Sequence, residues 1–268
     1  MQRLLLAAFL LVAATAFAAP GYEAGEAAYR RGDFAAALDA LRPAASADDP
    51  RAQYLLGVML ADGSGTKPDP AEAAKWVRRA ADQGLAVAQY GVGLSYQQGI
   101  GVSQDSGEAI RWQRLAAAQN YAPAQYELGN AYRLGDGAGQ DDVEALKWYR
   151  LAAAQDFGPA QTSLGVMYRL GIGVARDYDE ALKWLGIAVL KGFPRAEFNL
   201  GDMYANGEGV ARDDIRAFAL MDLAAERYPP GPLRDDTLKS RDVVAKRLTP
   251  LGLDEARKLK EALIPAKR

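Results

Sequence analysis

Two residue patterns in this chain could support chemistry. Carboxylates occur as Asp-x-x-Glu pairs, such as Asp177 and Glu180, which could act as a general acid and base or bind calcium. Glycines occur as G-x-G pairs, such as Gly171 and Gly173, which resemble phosphate-binding loops. The chain contains no histidine and no cysteine, which excludes Ser-His-Asp and Cys-His catalysis and the common zinc sites. An enzyme is therefore the least favoured class, and no cofactor or metal is predicted.

Both patterns recur with a constant period, which favours a structural origin. The segment AQTSLGVMYRLGIG is one of five similar segments spaced 36 residues apart. These segments begin at Ala52, Ala88, Ala124, Ala160 and Ala196. A phosphate-binding loop would be needed only once, so five copies indicate an architectural repeat.

Each copy predicts a pair of helices, A and B. The small and apolar positions of helix A form one helical stripe, and Gly171 is placed to end that helix in the left-handed conformation. Gly165, in the middle of helix A, predicts a close approach by a neighbouring helix. Helix B then begins with a capping box, in which Asp177 is the N-cap and Glu180 the third helical residue. Capping explains the repeated carboxylate pairs, although the fifth copy has Arg216 in place of the glutamate.

The tryptophans share one position of the repeat. They are Trp76, Trp112, Trp148 and Trp184, and Leu220 takes this position in the fifth copy. A large ring beside alanines predicts packing between helices, with the rings buried along the B-helix side. Exposed rings would instead favour stacking against sugars.

These residues resemble the Sel-one-like repeat (SLR), a 36-residue relative of the tetratricopeptide repeat. The segment LGVMYRLGIGVARDYDEALKWLGIA, residues 164–188, carries nearly every position of that motif. The resemblance implies an all-α fold, an α/α superhelical solenoid of antiparallel helix pairs with a concave face lined mainly by the A helices. It also implies a non-catalytic protein that binds other proteins.

The predicted organisation has four parts. Residues 1–18 are expected to be a signal peptide, with a short membrane anchor as the alternative. Residues 22–51 resemble a tetratricopeptide-like helix pair, and residues 229–268 read as C-terminal capping helices or a docking element. Residues 52–228 hold the five SLR repeats, at 52–87, 88–123, 124–159, 160–195 and 196–228.

A partner-binding surface is expected on the side of helix A opposite the buried stripe. Positions 2, 6 and 9 residues after the first alanine of each repeat lie there, and in the first repeat they are Tyr54, Val58 and Ala61. The predicted binding residues are Tyr90, Tyr126, Asn130, Arg133, Arg169, Phe198 and Asp202. Aromatic rings beside arginines suit a peptide with an apolar side chain and a carboxylate. The alternative is that the aromatic rings are buried between neighbouring repeats.

The sequence therefore predicts an exported, non-catalytic scaffold that binds a protein or peptide segment in the periplasm. The formal net charge of −2 argues against nucleic acid as the partner. After cleavage of the signal peptide the chain is expected to be a monomer without a membrane span. The alternative function is an envelope structural protein that binds peptidoglycan or assists polysaccharide export.

Overall fold

The computed structural model describes residues 20–263, so the predicted signal peptide lies outside the described residues. These residues form two compact units, residues 20–121 and residues 122–263. The first unit contains α1 (Pro20–Arg30), α2 (Phe34–Ser46), α3 (Pro50–Asp62), α4 (Pro70–Asp82), α5 (Ala86–Gln98) and α6 (Ser106–Ala118). The second contains α7 (Ala122–Leu134), α8 (Asp142–Ala154), α9 (Gly158–Leu170), α10 (Tyr178–Leu190), α11 (Pro194–Asn206), α12 (Asp214–Arg227), α13 (Pro232–Ala245) and α14 (Pro250–Leu263).

Consecutive helices pack as pairs within each unit, and residues 20–263 contain no strand. Helix A of the five repeats is α3, α5, α7, α9 and α11, and helix B is α4, α6, α8, α10 and α12. The predicted all-α fold of helix pairs is confirmed. The pair α1 and α2 precedes the repeats, and α13 and α14 follow them.

The loop glycines adopt left-handed backbone conformations, as the repeated G-x-G pattern predicts. Gly171 ends α9 with a φ of 72°, which is the left-handed region that favours glycine. Gly173 also has a positive φ, of 66°, and a side chain there would overlap the backbone of Asp142 in α8. The glycine pair therefore ends one helix and lets the loop approach the preceding repeat.

The glycine in the middle of helix A allows the two helices of a repeat to approach closely. A Cβ atom on Gly165 would lie 2.7 Å from Cγ of Leu185, and one on Gly129 would lie 2.5 Å from Cε1 of Tyr149. Alanine would fit at either position only if the facing Leu185 or Tyr149 side chain moved. The close approach predicted from the sequence is confirmed.

The aspartates that begin helix B are N-caps, but the capping box is only half formed. Asp177 Oδ1 accepts a hydrogen bond of 3.0 Å from the backbone N–H of Glu180. The backbone N–H of Asp177 donates to the carbonyl of Tyr168 at 2.9 Å, so it does not bind Glu180. The Glu180 carboxylate instead accepts a hydrogen bond of 2.8 Å from Nε1 of Trp184. The predicted second half of the box was wrong because helix A already supplies an acceptor.

The tryptophan rings pack between helices, although they are not equally buried. Trp112 is 4% exposed and belongs to the core of the first unit, whereas Trp76, Trp148 and Trp184 are half-buried. The Arg78 guanidinium stacks over the Trp112 ring at 4.6 Å from its centroid. The prediction of interhelical packing is confirmed, and complete burial holds for Trp112 alone.

Candidate partner-binding surface

The predicted surface of the first repeat contains a cavity. In the first unit a cavity of about 250 Å³ is lined by Tyr54, Val58 and Ala61, the three side chains that the repeat spacing assigns to this face. Val77 and Val92 form part of its apolar wall. Burial raises the pKa of Tyr54 above its ordinary value, so its hydroxyl is uncharged at neutral pH. The cavity can therefore accept an apolar group, and Arg78 is the charged side chain among the residues that line it.

Small residues in the second repeat create this space. Ser95 lies at the cavity wall, at the repeat position where Met59, Met167 and Met203 are fully buried. The Ser95 hydroxyl donates a hydrogen bond of 3.0 Å to the carbonyl of Gly91, which also lines the cavity. A methionine at this position would extend into the core, so the serine leaves a void.

Tyr90 lies on the same helix but does not line the cavity. Its ring is half-buried and packs against Tyr121, with ring centroids 5.4 Å apart. Tyr121 occupies the position three residues before Ala124. Tyr90 and Tyr121 both belong to the second repeat, so this contact lies within a repeat rather than between neighbouring repeats.

Tyr126 of the second unit is arranged in the same way. Its half-buried ring lies 5.7 Å from the Tyr149 ring and 5.5 Å from the Phe157 ring, measured between centroids. Phe198 is also half-buried, and it packs against the core that α11 and α12 form with α13 and α14. The predicted aromatic residues therefore contribute to packing and keep only part of each ring accessible.

Asn130 and Arg133 form a polar group beside these rings. The buried Tyr149 hydroxyl donates a 2.7 Å hydrogen bond to Oδ1 of Asn130, whose amide donates to the Glu127 carboxylate at 3.2 Å. Burial raises the pKa of Tyr149 to about 12 and also raises the pKa of Glu127. Arg133 is half-buried, faces the Tyr149 hydroxyl and forms no ion pair within residues 20–263. Its guanidinium can therefore donate hydrogen bonds to a carboxylate of another molecule.

Arg169 differs from Arg133 although both occupy the same position of the repeat. Its side chain is only 10% exposed and forms ion pairs with Asp202 and with Glu208, the latter at 2.5 Å. Burial would lower the pKa of Arg169, but hydrogen bonds to Glu208 and Asp202 outweigh burial and raise it. Two of the predicted binding residues, Arg169 and Asp202, are thus brought together and bind each other.

The difference between the two arginines originates in the following repeat. The residues that correspond to Asp202 and Glu208 one repeat earlier are Val166 and Ile172. Arg133 therefore has no acidic neighbour of the kind that holds Arg169.

No group of three or more acidic side chains in residues 20–263 is arranged to hold a metal ion. None of the helices in this range is long and apolar enough to cross a membrane.

The sequence model of the Sel1 repeat family matches five consecutive segments, residues 50–85, 86–121, 122–157, 158–193 and 194–228. The chain belongs to the Sel1 repeat family. Each matched segment begins two residues before the boundary predicted from the alanines, with the same period. Sel1 repeat proteins are generally protein-interaction scaffolds and are typically non-catalytic.

Two solved structures are similar to this Sel1 repeat chain. One is c5321, a protective antigen of uropathogenic Escherichia coli with an SLR fold, with a TM-score of 0.78 and 31% identity over 85% of this chain. The chain spans 48% of that structure, or about half of its length. The other is a Sel1 repeat protein from Oxalobacter formigenes, with a TM-score of 0.70 and 33% identity, covering 77% of this chain and 85% of that one. Among curated proteins, the sequence comparison finds no match.

The Sel1 repeats also contain a buried polar contact that the sequence analysis missed. Within a repeat, the amide of the residue after helix B binds the buried glutamine near the start of helix A. The Nε2-to-Oε1 distances are 2.8 Å for Gln83 to Gln53, 2.9 Å for Gln119 to Gln89 and 2.7 Å for Gln155 to Gln125. In the fifth repeat Arg227 binds Glu197 instead. The recurring Ala-Gln pair, together with glutamine 30 residues later, is the signal that could have revealed it.

Proposed function

We propose that this chain is an exported, non-catalytic scaffold that binds a segment of another protein and regulates an envelope signalling or assembly complex. Membership of the Sel1 repeat family supports the general class. The apolar run at residues 4–17, which follows Arg3, supports export.

The cavity of the first unit carries the binding proposal. It lies at three side chains that the repeat pattern places on the partner side of helix A, and its wall is predominantly apolar. An inserted leucine or methionine side chain of the partner would be removed from water there, and such buried anchors usually dominate binding energy. Arg78 and Tyr96 also line the cavity and can bind polar groups of the same segment.

The half-buried polar group of Asn130 and Arg133 in the second unit supplies a further contact in this proposal. Arg133 has no carboxylate partner within the described residues and faces the hydroxyl of Tyr149, whose ring packs against Tyr126. A charge-assisted hydrogen bond from its guanidinium to an acidic residue of the partner would set orientation. Arg169 and Asp202 could contact a partner only after their own ion pair had opened.

The test begins with affinity capture from an envelope extract, followed by mass spectrometry of the bound proteins. Binding of the identified protein is then measured by titration calorimetry for the native chain and for Ser95→Met, which fills the cavity with the residue that three other repeats carry. We expect at least a tenfold loss of affinity, and the matched Ser95→Ala variant should bind like the native chain. Unchanged affinity of a folded Ser95→Met variant would refute the cavity as the site.

Export is tested separately by fractionation of cells that express the full chain. Recovery in the periplasmic fraction with residues 1–18 removed would support the proposal. Retention in the cytoplasm would refute it. Capture of peptidoglycan rather than a protein would favour the alternative of an envelope structural role.

A further inference from the structure

The second unit contains a larger apolar cavity that lies away from the predicted partner-binding residues. Its volume is about 500 Å³, within the range of roughly 300–1,000 Å³ that is usual for small-molecule sites. Four helices form its wall. The main apolar side chains are Leu182 and Leu190 of α10, Leu200 of α11, Leu220 of α12, and Leu259 and Leu263 of α14.

Two departures from the repeat pattern open this cavity. In the first unit the Arg78 guanidinium packs on the indole of Trp112 in the next repeat. The corresponding pair in the fourth and fifth repeats is Gly186 and Leu220, so both large groups are replaced by smaller ones. A Cβ atom on Gly186 would have no heavy atom within 4 Å, and Leu190 beside it is 77% exposed. Space that an arginine and an indole occupy elsewhere is therefore empty here.

A third departure places a positive charge at the same cavity. Arg216 stands where the first four repeats carry the glutamate of helix B, so the charge at this position is reversed. Its contacts are long, at 3.4 Å both to the Asp213 carboxylate and to the Tyr204 hydroxyl, and its side chain is 58% exposed. Lys183 is the other charged lining residue and pairs with Glu180 at 2.9 Å. No acidic side chain lines the cavity within the described residues.

We propose that this cavity binds a single-chain fatty acid, with the acyl chain among the leucines and the carboxylate at Arg216. An apolar wall of this volume suits a flexible hydrocarbon chain better than one amino-acid side chain. The exposed guanidinium can donate two hydrogen bonds to one carboxylate, which fixes the end of the ligand that remains near water. This site is separate from the proposed protein-binding site, because neither Asn130, Arg133 nor any residue of the first-unit cavity lines it.

The probes are octanoate, decanoate and dodecanoate, titrated calorimetrically into the full chain below their micelle-forming concentrations. We expect one molecule per chain and a gain in affinity of about fourfold for each buried methylene group. Decan-1-ol, which has the chain of decanoate without its charge, should bind at least tenfold more weakly. Absence of saturable decanoate binding would overturn the proposal.

Variants of Gly186 separate filling of the cavity from loss of the glycine. Gly186→Leu should reduce decanoate affinity at least tenfold, whereas Gly186→Ala, which adds only a methyl group, should change it less than threefold. Arg216→Glu restores the residue type of the other repeats and should weaken decanoate binding without weakening decan-1-ol binding. Equal binding by the leucine variant, or an equal loss for both ligands in Arg216→Glu, would overturn the assignment. Occupation of the cavity by a second copy, seen as a dimer that Gly186→Leu dissociates, would also overturn it.

Discussion

The ion-pair network of Arg169 should make a measurable contribution to stability. The Arg169 side chain is 10% exposed, and its guanidinium binds Asp202 and Glu208 and lies 3.3 Å from Oδ1 of Asn199. Replacement by alanine removes these contacts and leaves two acidic side chains of the fifth repeat without their common partner. We therefore expect Arg169→Ala to destabilise the attachment of α11 and its following loop to α9.

The expected loss of stability in Arg169→Ala follows from how deeply each member of the ion pairs is buried. Removing one member of a fully buried ion pair costs about 3–5 kcal/mol, whereas an exposed pair contributes about 0–1 kcal/mol. Here the arginine is nearly buried, but the carboxylates are 32% and 25% exposed, so water can partly solvate them after the substitution. The expected loss lies between these limits, at about 2–3 kcal/mol.

The measurement is urea-induced unfolding at neutral pH, combined with hydrogen exchange of the α11 amides. Arg133→Ala is the matched control, because it removes the same residue from the same repeat position without breaking an ion pair, and it should stay within about 0.5 kcal/mol of the native chain. A double-mutant cycle with Asp202→Ala should give a coupling energy of at least about 0.5 kcal/mol. The reasoning is refuted if Arg169→Ala is as stable as Arg133→Ala. The two arginines must therefore be tested separately in any binding experiment.

Three other substitutions test local features. Asp177→Ala should lower stability by about 1 kcal/mol in urea unfolding through loss of the N-cap, without altering partner affinity in calorimetry; lost affinity in the folded variant would contradict a purely structural role. Burial raises the pKa of Glu127, so stability falls as pH rises through that pKa. Glu127→Gln should therefore melt higher at pH 7, with the difference shrinking towards pH 4, and a lower melting temperature at pH 7 would contradict this. Burial would raise the pKa of Asp222, but hydrogen bonds from Lys260 and Arg241 outweigh burial and lower it. Asp222→Asn should therefore destabilise the chain at pH 7 and progressively less as pH falls below about 4, and a pH-independent difference would argue against the ion pairs.

The helix boundaries could be predicted because each depends on a local signal. Gly171 requires a left-handed backbone, and Asp177 binds an N–H only three residues away. Such contacts are encoded in a few consecutive residues, and five copies remove the ambiguity of any one of them. The second half of the capping box was not predictable in this way, because the competing acceptor is the carbonyl of Tyr168 in the other helix.

Whether a candidate binding residue is already paired within the chain could not be predicted from one repeat. Arg133 and Arg169 have the same local environment in the sequence, and residues 33 and 39 positions later decide which of them is paired. The cavity at Ser95 has a similar origin, since its volume depends on side chains from three helices. Comparison of the five copies reveals where residues differ, but only the packing shows whether a neighbour fills the space.

The glutamine contacts bear on how the number of repeats can change during evolution. Each glutamine pair is hydrogen-bonded within a single 36-residue repeat, as Gln53 and Gln83 are. Duplication or loss of one of the first three repeats would therefore leave its paired amides satisfied, whereas the fourth repeat has Lys191 in place of the second glutamine and Oε1 of Gln161 has no partner among the described residues. The contact of Arg169 with Glu208 joins the fourth repeat to the fifth. Loss of residues 158–193 would place Arg133, which occupies the same repeat position as Arg169, one repeat before Asp202 and Glu208, so an arginine would still be available to these carboxylates.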